Sequence, residues 1–414
     1  MNQEKNVFCP ELLAPAGDYE RLLAAVLFGA DAVYLAGQEF GMRASQTNFD
    51  QDTLQKAVAF CHEKGVRVYL TVNTLPRNDE IDRLPEYLRF VESAGVDAVI
   101  ATDLGVLSLL KKHVPNMEVH ISTQAGVINY ETARAFYEMG AKRVVLAREL
   151  SLEEIRQIRA KTPQELELEA FVHGAMCMSV SGRCLISNYL TGRDANRGEC
   201  AQPCRWSYHL MEEKRPGLFF PVFEDEKGSY ILNAKDMCLI EYVDQLAKAG
   251  ISSFKIEGRA KSSYYVSVVT NAYRIAMNDY VRNPDGFHLE PWLLDEVKKV
   301  SHRRYSTGFY FGTPDQYPEN GGYERDWDIV AVVDGWDEAA GELLLTQKNK
   351  FSEGDETEIL EPGQKPCIFQ VFGLKDGDGN PLEAACHPLM KLRLPCRRGF
   401  RPGSIVRKGK PVAE

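Results

Sequence analysis

Along the first two-thirds of the chain, short β-branched runs alternate with stretches whose apolar residues recur at helical spacing. ELLAPA (11–16), DAVYLA (31–36), RVYLTVN (67–73), DAVIATD (97–103), EVHIST (118–123), KRVVLAR (142–148), LELEAFVH (166–173) and SFKIEG (253–258) read as strands. They are nearly continuous apolar runs, as strands covered on both faces are. Between them, DYERLLAAVLFG (18–29) and NYETARAFYEMG (129–140) read as amphipathic helices stopped by Gly. LSLEEIRQIRAK (150–161) opens with a capping box at Ser151 and Glu154. Eight strands with intervening helices predict an α/β fold, a (β/α)8 TIM-like barrel over residues 1–324. No Gly-x-Gly-x-x-Gly or Walker loop stands at a strand end to favour a doubly wound sheet.

Two departures break the rhythm. Roughly eighty residues separate strands seven and eight, against about 30 in an ordinary βαβ unit. DMCLIEYVDQLAKAG (236–250) is expected to be a helix, which leaves 174–235 as a cysteine-rich insertion after strand seven. That face is where barrels place their chemistry. After a helix at 262–280 the repeat ends. Residues 325–414 read as short strands between Gly, Asp and Pro, a small C-terminal β-barrel domain.

The composition is ordinary for a globular chain of 414 residues, with 44% hydrophobic and 26% charged. A net charge of −10 excludes a globally basic nucleic-acid coat but not a local basic patch. The first residues hold no apolar run of a secretory signal, and no segment approaches the ~20 apolar residues of a membrane span, so a cytoplasmic protein without membrane contact is expected. Of ten cysteines, five fall within 177–238, where even spreading would place about 1.5. Their surroundings are rich in Gly, Ser, Asn and Arg, which favours metal ligation over core packing. Zinc sites usually show two close pairs, and here only Cys200 and Cys204 are close. Thiolates from separate loops are compatible with an iron–sulfur cluster. Spacing alone does not choose between Cys200 and Cys204.

Polar residues near strand ends are the other candidates. Arg43 follows strand two. Asn73, Asp103 and His120 fall near the ends of strands three, four and five, and His173 ends strand seven. Arg148 ends strand six, and Lys255, Glu257 and Arg259 surround the end of strand eight. Alternation puts Lys255 and Glu257 on one side, so a structural ion pair between them stands beside a catalytic role. Two basic runs offer phosphate contacts. Residues 390–413 hold eight Lys or Arg and no acid, and KKVSHRRY (298–305) is followed by Phe309 and Tyr310. Tyr305, Phe309 and Tyr310 could stack on unpaired bases, against the plainer alternative of core aromatics under a solvated face. No His-Glu-x-x-His or Gly-x-Ser-x-Gly supports a peptidase.

HGAMCMSVSGRCLISNYLTGRDANRGECAQPCRW (173–206), ELLAPAGDYERLLAAVLFGADAVYLAG (11–37) and FKIEGRAKSSYYV (254–266) resemble the U32 family, long labelled collagenase-like peptidases. The resemblance covers essentially the whole chain. Within the family it is nearest a branch implicated in converting the wobble uridine of tRNA to 5-hydroxyuridine, without molecular oxygen and dependent on prephenate. Sibling branches hydroxylate a ribosomal RNA cytidine or a ubiquinone precursor. Relatives in the ubiquinone branch hold a [4Fe–4S] cluster on four cysteines. Carried over by motif, the ligands are Cys177, Cys184, Cys200 and Cys238, so the resemblance selects Cys200 over Cys204. It implies tRNA and prephenate as partners and leaves open a paralogous U32 subunit or homo-oligomer, while His173, Arg43, Asn73, Asp103, His120, Lys255, Glu257 and Arg259 stand as catalytic candidates on their places near strand ends. It also suggests the C-terminal barrel as an RNA platform and a cluster over the barrel mouth.

Overall fold

The computed structural model describes residues 7–41, 48–176, 191–193, 201–202, 210–211, 219–220, 235–312, 314 and 323–410. Eight parallel strands form the first domain: β1 (Glu11–Pro15), β2 (Ala32–Ala36), β3 (Arg67–Val72), β4 (Ala98–Ala101), β5 (Glu118–Ile121), β6 (Arg143–Val145), β7 (Glu167–Ala175) and β8 (Ser253–Ile256). Each pairs with the next, and β8 pairs with both β7 and β1, so the barrel is closed. Helices start at the mouth end because polar caps are placed there. Asp18, Asp50, Asp103, Asn129, Ser151 and Ser262 each accept a first-turn backbone N–H.

The interior of the barrel is divided. On the β1–β4 side, Leu13, Ala32, Tyr34, Tyr69, Ala98 and Ile100 form a small buried cluster of their own. On the β5–β8 side, charged and polar side chains are buried as well: His120, Arg143, Glu169 and Lys255. The larger apolar cluster lies outside, between strands and helices.

β7 runs past the barrel. Phe171 pairs with Lys255 and His173 with Ile256, so an extra residue, Val172, is bulged out. The last residues of β7 pair antiparallel with Asp236–Cys238, which pairs in turn with Tyr305–Ser306. The segment expected to be one helix over 236–250 therefore begins as a strand. Only Val243–Lys248 is α-helical, after a short 3-10 turn at Ile240–Tyr242. The extended edge of β7 takes Asp236–Cys238 as its partner, and that pairing overrides the helical periodicity. At the crossing, Gly174 has φ +111°, and a Cβ there would lie 2.5 Å from the Glu257 carbonyl oxygen.

The C-terminal domain is a seven-stranded antiparallel sheet, curved into a half-barrel whose two edge strands do not pair. Its order is Cys367–Gln370, Glu356–Leu360, Ile405–Gly409, Trp327–Asp337, Glu342–Gln347, Lys391–Pro395 and Lys375–Asp376. It has its own core around Val333, Leu343, Leu392 and Val406. Ile329, Leu360 and Ile405 pack instead into the barrel's outer core. Among the described residues no helix is long and apolar enough to cross a membrane.

A buried ion cluster joins the domains. Arg407, from the half-barrel, is fully buried and grips Glu296 of the helix Pro291–Lys298 with two hydrogen bonds of 2.5 and 2.7 Å. It also meets Glu358 at 2.6 Å, and Glu358 meets Lys299 at 2.8 Å. Removing one partner leaves an uncompensated buried charge, which costs more than the pair contributes. Arg407→Met should lower unfolding free energy by about 3–5 kcal/mol in chemical denaturation. Adding Glu296→Leu should recover most of that loss.

Candidate active site at the barrel mouth

The mouth end of β6 and β8 carries two guanidinium groups and a carboxylate. Arg148 lies 3.0 Å from Glu257, donates to the Ala175 carbonyl at 2.6 Å, and stacks 3.8 Å above the Phe171 ring. Arg259, three residues past β8, reaches across to β3, where its Nη1 is 3.5 Å from Thr71 Oγ1. The crossing is possible because its backbone lies against Gly17, where a Cβ would fall 2.0 Å from the Arg259 carbonyl oxygen. Both side chains are nearly buried but stand at the open end. Around the β3–β5 rim, Leu75, Leu104 and Ile128 are each more than half exposed.

Beneath this level lies a chain of opposite charges. Lys255 is 2.6 Å from Glu169 and sits 4.6 Å from the Tyr34 ring centre. Glu169 also meets Arg143 at 3.0 Å, and Arg143 meets Glu11 and Glu167 at 2.7 Å each. Burial pushes the Glu169 carboxyl up, but Lys255, Arg143 and His120 outweigh it and hold it below its ordinary value. At the floor, Tyr69 donates to Glu11 at 2.5 Å, and His120 Nε2 lies 2.8 Å from Glu118.

The structure sorts the sequence candidates. Lys255, Glu257 and Arg259 do gather on the mouth side. Lys255 and Glu257 do not pair with each other, because neighbouring strands supply closer partners in Glu169 and Arg148. Asn73 lies at the rim, where its carbonyl accepts from Thr102 at 3.4 Å. Asp103 caps the helix Leu104–His113 through Val106 N–H at 3.1 Å. His120 belongs to the floor, with Glu118 and Tyr69. His173 is not at the mouth. The β7 bulge turns it to the helix side of the wall, among Tyr265, Tyr273 and Tyr305. Arg43, Cys177, Cys184, Cys200 and Cys204 lie outside the described residues. Glu169, Arg143 and Phe171 were missed, although Glu169 and Arg143 announce themselves as charges inside apolar strands.

The basic runs are largely spoken for. Of the eight cations in 390–413, Arg407 is buried. Lys391, Arg393, Arg398, Lys408 and Lys410 each have an Asp or Glu within 4 Å. In the second run Tyr310 is buried and donates to the Phe171 carbonyl, and Tyr305 and Phe309 pack against the barrel core. Tyr310 is therefore a core residue, and Tyr305 and Phe309 are partly buried against that core.

Cys238, the described member of the cysteine set, is buried, and burial pushes its thiol up to about 12. Tyr273, whose hydroxyl donates to the Val172 carbonyl at 2.7 Å and accepts from Leu239 N–H at 3.1 Å, is its buried neighbour. A buried sulfur is a soft donor of the kind a thiolate-held iron–sulfur group takes. Among the described residues no three His, Cys, Asp or Glu side chains converge on a metal position.

The floor generates an acid-stability prediction. Burial pushes the Glu118 carboxyl up, but hydrogen bonds with His120 and Arg67 prevail and hold it at about 2, below the usual 4.5. A carboxyl depressed in the folded state adds stability that is fully present above about 4.5 and is lost as pH falls towards about 2. Unfolding free energy measured across that window should fall less steeply in Glu118→Gln than in the wild type.

Comparison with known proteins matches this architecture domain by domain. A model described as "Peptidase family U32" covers residues 17–320, and one described as "Peptidase family U32 C-terminal domain" covers 325–407. The chain is 38% identical over 411 residues to "tRNA hydroxylation protein P1" of Bacillus subtilis, covering 97% of this chain and 95% of that one. It is 37% identical to "23S rRNA 5-hydroxycytidine C2501 synthase" of Escherichia coli, covering 71% of this chain and 44% of that one. It is 36% identical to "Collagenase" of Porphyromonas gingivalis, covering 73% of each. With both domains matched in order and a relative aligned over nearly its full length, the chain belongs to peptidase family U32.

Proposed function

We propose that this protein is an RNA hydroxylase that converts the wobble uridine of tRNA to 5-hydroxyuridine. The observation behind the proposal is the end-to-end likeness to tRNA hydroxylation protein P1, which includes the half-barrel as well as the catalytic domain. We further propose prephenate as the hydroxyl donor and a [4Fe–4S] cluster on Cys177, Cys184, Cys200 and Cys238. When bound, such a cluster would supply redox or Lewis-acid chemistry.

The chain's own residues suit the remaining tasks. Arg148 and Arg259 offer two guanidiniums at the mouth for a donor that carries two carboxylates. Glu257 and Phe171 hold Arg148 in place, one by charge and one by its ring face. A wobble base sits in a loop and can be extruded towards a pocket. Leu75, Leu104 and Ile128 offer it apolar edges at the rim. Nucleophilic proteolysis finds little support at the one described Cys–His pair. Cys238 and His173 face each other across the strand pair, but burial pushes the thiol up to about 12 and the imidazole down to about 3. That is the reverse of a thiolate–imidazolium pair. The ribosomal relative keeps a second RNA substrate in view.

The test is mass spectrometry of tRNA nucleosides from a strain lacking this gene and its paralogues. Complementation with the wild-type chain should restore 5-hydroxyuridine, and Cys177→Ala should not. Arg259→Ala should lower the product on the order of 10²-fold, with the circular dichroism spectrum unchanged. Unaltered 5-hydroxyuridine in the deletion strain would remove tRNA as the substrate and move ribosomal RNA to first place.

A further inference from the structure

The half-barrel sheet ends in two edge strands, and the chain treats them differently. The edge strand Lys375–Asp376 is two residues long, and both are charged. The turn after it folds back as a cover. Asp376 N–H donates to the Asn380 carbonyl at 2.9 Å, Leu382 N–H donates to the Leu374 carbonyl at 2.8 Å, and Lys375 is bridged to Pro381. Shortness, charge and cover are the ordinary means of blunting an edge. The opposite edge strand, Cys367–Gln370, has none of them. No charged residue falls anywhere from Pro366 to Leu374.

The open side of that strand carries an ordered row. Val371 N–H donates to the Asp355 carbonyl at 2.9 Å, and the Val371 carbonyl accepts from Gly354 N–H at 2.8 Å, so Val371 faces the neighbouring strand. Antiparallel alternation then turns the N–H and C=O of Ile368, Gln370 and Phe372 to the open side. The side chains of the same three residues share one face, and all three are exposed. On this face Glu358, opposite Ile368, meets Lys299 of the barrel domain, and the barrel leaves the row uncovered. Ile368 is 69% exposed and Phe372 is 62% exposed. Among the described residues, only Leu389 is comparably exposed for a large apolar side chain, and it lies towards the other edge, just before Lys391–Pro395.

We propose that this edge is a docking surface for a second copy of the chain, which pairs with it antiparallel about Gln370 and joins two half-barrels into one continuous sheet. The row reads apolar, polar, apolar and is symmetric about Gln370. A two-fold axis through Gln370 therefore sets each Ile368 opposite the Phe372 of the second copy, and Gln370 opposite itself. Each of these pairs has outward backbone groups on both sides, so each can exchange both of its hydrogen bonds. The apolar cross-strand pairs add to the ladder. The edge is uncharged, so two copies approach it without like-charge repulsion, whereas an RNA finds no cation on it. The strand offers far fewer residues than the roughly 20–30 a side of a standard stable interface, so the dimer is reversible and forms as concentration rises.

The experiment is sedimentation velocity on the full-length chain from about 1 µM to about 100 µM, for the wild type, Gln370→Pro, Ile368→Lys and Leu389→Lys. Gln370→Pro removes an outward N–H that the chain's own ladder does not use, a change that edge strands tolerate. Ile368→Lys places a charge in the row, and Leu389→Lys removes an equally exposed apolar group elsewhere on the sheet. The weight-average mass of the wild type should rise from that of one chain towards twice that value, and Leu389→Lys should follow it. Gln370→Pro and Ile368→Lys should stay at one chain throughout. Amide hydrogen exchange in 366–374 of the wild type should slow at the high concentration. A wild type that stays at one chain up to the highest concentration overturns the proposal. A dimer that survives both Gln370→Pro and Ile368→Lys overturns this edge as its interface.

Discussion

Glu169 is a carboxylate with no access to water, and it sits where the barrel has to close. Its strand, β7, lies between β6 and β8, and those two neighbours supply the cations that meet it, Arg143 and Lys255. A buried carboxylate without partners would be very costly, so the three strands are tied together by charge as well as by their backbone ladder. The tie also selects register. A slip of one residue would turn Lys255 out of the barrel and leave Glu169 alone. The acids Glu11 and Glu167 then meet the remaining reach of Arg143, and the network continues to the floor.

β7 also divides the chemistry in two. Up to Phe171 its inward residues face the barrel, and after the Val172 bulge His173 faces the helices. The guanidiniums of the mouth therefore stand on one side of the wall and the Cys238 sulfur on the other.

Much of the fold was legible because the barrel repeats one physical pattern. Apolar strands, polar caps and glycine stops recur, and each of the eight strand segments holds a barrel strand. The half-barrel was legible as a change of rhythm at 325. What escaped were features fixed by contacts distant in sequence. A single bulged residue moved His173 to the opposite face, and no local signal marks it. The edge of β7 made a strand of Asp236–Cys238 within a helical pattern. Lys255 and Glu257 were placed on the correct side, but their partners come from strands about 86 and 109 residues away. Asp103 stands near the end of β4 and also caps the helix that follows, because Asp is suited to both.

The same long-range pairing changes what the half-barrel can be. Five of its cations, Lys391, Arg393, Arg398, Lys408 and Lys410, face Asp334, Asp337, Glu342, Glu361, Asp355 and Asp328 from strands and turns of the same domain. A surface whose positive charges are mostly paired displaces fewer counterions when it meets a polyanion than a bare basic patch does. An RNA seated there would be held by fit rather than by charge, and its affinity would respond little to ionic strength. Such a face would discriminate between folded shapes of equal charge, a form of selectivity that a bare lysine and arginine patch does not have.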